Sequence, residues 1–203
     1  PAPLPSIPDG DILRRHPALG RRDEDECLIV YQGDVSIARG LGEFIAAVGL
    51  LPDRFRMIIV GDGPDADLLR RDVKTRNLEH RISFIGRVPR DNLFDILRQC
   101  DIGIVAYPTR GLNNIFCAPN KVFEYAQAGL VLLCWANPVL ESLLANYNIG
   151  LVAQAPADIA AALQRLHKDR AVFRSEIDRF LRDHPWEEEA ARLREAYESL
   201  SAG

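Results

Sequence analysis

The sequence has little cysteine, no surplus of positive charge and no long apolar run, and each shortage excludes a class of protein. Cys27, Cys100, Cys117 and Cys134 are the four cysteines of 203 residues, and no two form a Cys-x-x-Cys pair. That spacing argues against a disulfide framework, and the setting expected is a reducing, cytosolic one. His16, His80, His167 and His184 are equally scattered, so no metal site is expected from ligand spacing. Lys and Arg total 25 against 29 Asp and Glu, a formal net charge of −4. A surface built to neutralise nucleic-acid phosphates would show a basic excess or stripe, and neither is present. The longest apolar stretch, residues 130–136, falls far short of the roughly 20 residues that cross a bilayer, so no transmembrane segment is expected. Neither a Gly-x-x-x-x-Gly-Lys-Ser/Thr phosphate loop nor a Gly-x-Gly-x-x-Gly fingerprint occurs. With 47% hydrophobic residues, what remains is a globular domain of generous size, or two small ones, able to bury a core without staples.

From residue 28 onward, short apolar runs alternate with longer amphipathic ones. Strands are predicted at 28–32, 56–60, 81–85, 101–105 and 131–134, rich in β-branched residues and several ended by glycine, with a weak sixth at 150–152. Helices are predicted at 40–50, 64–77, 91–100 and 119–128 from apolar spacing. The fold class expected is α/β: a Rossmann-like, doubly wound parallel sheet of about six strands with right-handed crossovers and helices on both faces. Beyond Pro156 the pattern is purely helical, at 157–167, 170–181 and 186–200, with Pro156 and Pro185 where helices start. Residues 1–26, with Pro1, Pro3, Pro5 and Pro8 and the charged run 21–26, read as a linker and solvated lead-in. Residues 27–167 read as the Rossmann-like domain, and 168–203 as helices packing back on the sheet or toward another domain.

In an open sheet of order 3-2-1-4-5-6, ligands bind past the carboxyl ends of the strands where the order reverses. The loops concerned are 33–40, after strand 1, and 106–118, after strand 4; the second far exceeds the usual connection of about 2–6 residues. It feeds a helix with Pro119 at its expected first position. A helix N-terminus offers unsatisfied N–H groups and the positive end of the macrodipole. Lys121 in the first turn is unfavourable for the helix alone but suits a shared anion such as a diphosphate. Glu124, one turn on, suits the vicinal diol of a ribose or, alternatively, is an exposed helix carboxylate. Arg39 would face the same crevice from the other side and pair with phosphate oxygens bidentately. The turn Gly61-Asp62-Gly63-Pro64 reverses the chain and starts a helix with proline first. Asp65-Ala66-Asp67 matches a metal–nucleotide pattern by letter but reads as first-turn acids favouring the dipole.

Taken in order, several segments resemble the C-terminal, donor-binding domain of a GT-B glycosyltransferase of the retaining glycosyltransferase family 4. They are Tyr31-Gln32-Gly33 with Arg39-Gly40, Val60 to Pro64, Phe84 to Val88, Asp101 to Val105, Asn113-Asn114, Ala118 to Tyr125 and Ala128-Gly129. The likeness covers roughly residues 31–153, and Trp186 to Ala190 with Tyr197 resembles the family's closing helix. The resemblance implies that Gly33, Arg39, Asn120 and Lys121 bind the donor diphosphate and that Glu124 holds the ribose. Arg87 and Val88 would lie against the base, largely through backbone, with Asn113, Asn114 and Phe116 near the donor sugar. It names no catalytic residue in this half and implies no cofactor and no metal, only a nucleotide diphosphate sugar as substrate. Two positions depart from the family pattern. Phe116 stands where a first glutamate is frequent, eight positions before Glu124, and Asp34 replaces a frequent basic residue.

The resemblance further implies an acceptor-binding N-terminal domain before Pro1, transfer to a hydroxyl acceptor with retention, and little transfer by this chain alone. No nucleic-acid partner is expected, and a peripheral place for the parent protein at the inner face of the membrane stays open. Two other readings stand beside it. One is a noncatalytic sugar-nucleotide-binding or scaffold module, with Phe116 and Asp34 as marks of lost activity. The other is a sugar-nucleotide epimerase of the same fold, disfavoured because no acid/base set is visible.

Overall fold

The computed structural model describes residues 19, 23, 25–109, 119–185, 194, 195 and 197. Six strands, β1 (Cys27–Gln32), β2 (Phe55–Val60), β3 (Ile82–Gly86), β4 (Ile102–Val105), β5 (Val131–Cys134) and β6 (Gly150–Val152), form one sheet in the order β3-β2-β1-β4-β5-β6. All its pairings are parallel. The helices are α1 (Leu41–Gly49), α2 (Ala66–Thr75), α3 (Arg90–Leu97), α4 (Asn120–Gln127), α5 (Pro138–Asn146), α6 (Pro156–Lys168) and α7 (Arg170–Asp183). The expected doubly wound α/β sheet is the one observed. Every residue of β1, β4 and β5 is buried, as unbroken apolar strands must be when helices cover both faces. The chain steps from β1 to β2 in one direction and from β4 to β5 in the other, so right-handed crossovers put their helices on opposite faces. α6 packs against α1 and across β4, β5 and β6, while α4 lies over β4 and β5 and meets α7.

Four local expectations are corrected. Pro119 is the N-cap of α4, extended at φ −71° and ψ 128°, and the helix begins one residue later. Pro64 likewise lies before the helix, whose N-cap is Asp65. Asp65 does not cap its own helix; its Oδ2 accepts the N–H of Ile37 (2.8 Å) and so ties α2 to the loop after β1. Asp67 does stand in the first turn of α2, as read, and also meets Arg70 on the helix surface. The fourth correction is α5, which the apolar periodicity missed because only Leu140 is fully buried along it. A start signal was present: Asn137 Oδ1 accepts the Val139 N–H (3.0 Å), with Pro138 at the first helical position.

Leu19, inside the segment read as linker, is buried against the core. Arg81 and Asp101, read as the first residues of strands, stand just before β3 and β4 and anchor them. The Arg81 guanidinium donates to the carbonyls of Val48, Leu51, Pro52 and Phe55 at 2.7–3.1 Å. Asp101 Oδ2 accepts the Leu28 N–H (2.9 Å), and Oδ1 faces Arg170 and Arg174 at 3.5 and 3.7 Å. Cys27, Cys100 and Cys134 are buried thiols. The predicted helix at 186–200 falls almost wholly outside the described residues; of the closing-helix residues, Tyr197 is described and exposed.

Candidate functional site

The sheet opens where β1 and β4 part. Their ladder holds only Ile29 against Ile102 and Val30 against Gly103. Past that point the Gln32 N–H donates to Tyr125 Oη of α4 (3.1 Å) instead of to a strand. The Tyr125 ring reaches there because Gly103 has no side chain: a Cβ would stand 2.4 Å from its Cδ2. Burial pushes the Tyr125 hydroxyl well above its ordinary value, and the Gln32 hydrogen bond opposes that only in part. α4 is thus pinned to β1 by a buried neutral phenol, and its first turn lies over the end of β1.

Two cations meet in this crevice. Lys121 Nζ donates to Tyr107 Oη at 3.2 Å and lies 4.9 Å from the centroid of that ring and 5.7 Å from that of Tyr31. Arg39 Cζ lies over the same Tyr107 ring at 4.8 Å. Arg39 closes a single 3-10 turn, Ile37–Arg39, ended by Gly40 in the left-handed region. Gly33, at φ 129°, gives the end of β1 room for the lysine; a Cβ there would come within 3.0 Å of Lys121 Cε and Nζ. The buried Tyr31 donates its hydroxyl to the Asp34 carbonyl (2.6 Å). Burial first, against the lowering influence of Arg39, raises the Tyr31 hydroxyl far beyond its usual range, which keeps it a donor. The Asp34 side chain is itself exposed.

Glu124 is half-buried, and its Oε2 accepts a hydrogen bond from Gln32 Nε2. The alternative of an exposed helix carboxylate is therefore overturned, because the end of β1 supplies a partner that the helix pattern does not contain. Gly33, Arg39, Lys121 and Glu124 are gathered around the ends of β1 and β4. Asn120 is exposed on the first turn of α4. Arg87 and Val88 lie beyond the end of β3, on the far side of β2; Arg87 is exposed and 3.9 Å from Asp62, while Val88 packs partly against the core. Asn113, Asn114 and Phe116 lie outside the described residues. Sequence reasoning missed Tyr107, Gln32 and the part played by Tyr31 and Tyr125. Their only signal was position, at or just past the ends of β1 and β4 and inside the motif block. Among the described residues no three His, Cys, Asp or Glu side chains gather so as to hold a metal ion, and no helix is long and apolar enough to cross a membrane.

Solved structures sharing the fold include HepE of Anabaena in complex with UDP, with 16% identity, 96% of this chain against 52% of that one, and a TM-score of 0.73. Sucrose-phosphate synthase from Thermosynechococcus elongatus matches with 21% identity, 97% against 50%, and a TM-score of 0.71. The C-terminal domain of LpcC, a glycosyl transferase group 1 family protein from Francisella tularensis, matches with 17% identity, 78% against 85%, and a TM-score of 0.65. The chain spans about half the length of HepE and of the synthase. No curated protein sequence matches it. The pattern of the family described as "Glycosyl transferases group 1" matches residues 26–169, the whole sheet and six of the seven helices named above. On that match, the chain belongs to the glycosyl transferases group 1 family.

Proposed function

We propose that this chain is the donor-binding half of a retaining glycosyltransferase, holding a nucleotide diphosphate sugar at the parting of β1 and β4. The observation that carries the reading is the convergence of Arg39 and Lys121 on one tyrosine ring beside Gly33 and the first turn of α4. Two cations and the N–H groups of a helix start make a site for a diphosphate. As the bond from sugar to diphosphate breaks, negative charge grows on the departing phosphate. Preplaced positive groups stabilise that charge more than they stabilise the ground state, so the reading requires no metal ion. Gln32 occupies one oxygen of Glu124 and leaves the carboxylate's other oxygen to a ribose hydroxyl. Arg87 and Val88 are assigned to the base and Asn120 to the diphosphate. Asn113, Asn114 and Phe116 are assigned to the neighbourhood of the sugar. That UDP is bound in HepE, which shares the fold, supports a nucleoside diphosphate as ligand. The buried thiols support a reducing, cytoplasmic setting. The hydroxyl acceptor is placed in a partner domain of the parent protein.

The test is calorimetric titration with UDP, GDP, dTDP and ADP, each with and without a divalent metal. One of them is expected to bind equally well in both conditions. Glu124→Ala is expected to weaken that binding by about 1.5–3 kcal/mol, the scale of a hydrogen bond to a charged group. Unchanged affinity removes Glu124 from the site, and binding of none of the four overturns the reading.

A further inference from the structure

We propose that Tyr107 is a positioning residue, holding Arg39 and Lys121 together as a single doubly charged anion site. The inference rests on the donor-binding reading and adds to it the residue that assembles the charge. Both cations lie within 5 Å of one ring centroid. They are therefore no more than about 10 Å apart, one Debye length at 0.1 M salt, and their repulsion is felt rather than screened. Something must offset it in the absence of ligand. A carboxylate would do so by cancelling the charge and would then compete with any anion. An aromatic face holds a cation while leaving its charge intact. For Lys121 the holding groups are the rings of Tyr107 and Tyr31 and the hydroxyl of Tyr107. Among the described residues it pairs with no carboxylate.

Tyr107 is itself held by the neighbouring elements. Its carbonyl accepts a long bond (3.5 Å) from Nδ2 of the buried Asn137, the residue whose Oδ1 caps α5. Just before it, the Val105 carbonyl accepts the Trp135 N–H (3.0 Å). Trp135 in turn lies where a Cβ on Gly40, next to Arg39, would stand 2.3 Å from its ring. The start of α5, the loop after β4 and the 3-10 turn that carries Arg39 therefore fix one another's positions. The tyrosine sits at their meeting point.

Inorganic pyrophosphate is the probe, because it reports the charge site without the base. Titrations compare wild type, Tyr107→Phe, Tyr107→Leu, Lys121→Met and the double variant Tyr107→Leu/Lys121→Met, with thermal unfolding recorded for each. Tyr107→Leu is expected to weaken binding about tenfold, the scale of a desolvated cation–π contact. Tyr107→Phe, which keeps the ring and loses only the hydroxyl, is expected to weaken it about threefold. In the Lys121→Met background Tyr107→Leu is expected to cost less than in wild type, since one of the two cations it holds is gone. An equal cost in both backgrounds, or none in wild type, overturns the proposal and leaves Tyr107 a packing residue. A readout without ligand separates this failure from that of the donor reading: the NMR shift of the Lys121 Cε protons. In wild type they are expected upfield from the tyrosine ring currents, and Tyr107→Leu is expected to move them toward the free-lysine position. Absence of that shift sinks the positioning role whatever binds. Its presence in a protein that binds neither pyrophosphate nor any nucleoside diphosphate keeps the positioning role and sinks the donor reading.

Discussion

Replacing Gly103 with alanine adds one methyl group to a buried strand, and the structure says where it goes. The new Cβ would stand 2.4, 2.5 and 2.8 Å from Cδ2, Cγ and Cε2 of Tyr125, about 1 Å inside a normal carbon contact. The ring cannot swing away at its tip, because the clash is near its root, the side chain is fully buried and its Oη accepts the Gln32 N–H. Overpacking of this kind costs about 1–3 kcal/mol. Drawing Oη off Gln32 leaves a buried donor without a partner, at about 1–3 kcal/mol more. The expected loss is about 2–6 kcal/mol, a large share of the ~5–15 kcal/mol that holds a domain folded. Intrinsic preference points the other way, since alanine suits a strand interior better than glycine, so the sign itself is informative. Urea unfolding followed by circular dichroism on wild type, Gly103→Ala, Tyr125→Leu and the double variant makes the measurement. With the ring removed, Gly103→Ala is expected to cost under about 1 kcal/mol, which makes the two sites strongly coupled. A Gly103→Ala protein within about 0.5 kcal/mol of wild type, or an equal cost in both backgrounds, would refute the claim that Gly103 exists to admit this ring.

Arg81→Met is expected to destabilise by at least about 3 kcal/mol, because the four carbonyls of Val48, Leu51, Pro52 and Phe55 lose a charged donor; Arg81→Lys is not expected to rescue it, since one ammonium cannot match the guanidinium fork. A lysine variant within 1 kcal/mol of wild type in the same urea assay would contradict this. His167 packs edge-on against Phe55 (5.3 Å between centroids), and burial first, then Arg170, holds its imidazole below the ordinary 6.5. As pH falls through 6.5 the unfolded chain takes up the proton before the folded one does, so this group's contribution to stability is present above about 6.5 and is lost progressively below it. His167→Gln is expected to flatten that part of the stability–pH curve, and an unchanged slope would assign it to other groups. Arg39→Ala and Lys121→Ala are each expected to weaken nucleoside diphosphate binding and to reduce its dependence on salt; equal salt slopes in variant and wild type would argue against phosphate contact.

Much of the fold was legible because the signals are local. Apolar runs at 131–134 and 101–105 and the amphipathic stretches between them reveal strand and helix within a few residues of the observed ends. The errors fall where a local signal is thin or misplaced: α5, with one fully buried residue, and Pro119 and Pro64, which precede their helices instead of opening them. In the site, Lys121 stood out because a basic residue at a helix start makes little sense for the helix alone, and Arg39 by its place in the loop after the first strand; the helix pattern leaves Glu124 equally readable as an exposed carboxylate, and only its bond from Gln32 decides the matter.

The sequence by itself determined the class of fold and the succession of strands and helices along the chain, and so, under the common order 3-2-1-4-5-6, the two loops that meet at the crevice. These follow from periodicity, turn residues and chain handedness. Tertiary structure alone decided which side chains complete the site. Gln32 meets Glu124 across 92 residues of sequence and Tyr125 across 93, and Tyr107 gathers a cation from β1's loop and another from α4. Such pairings depend on strand register and on the angle at which a helix crosses the sheet. Both are set by how the whole core packs, so no short stretch of sequence contains them.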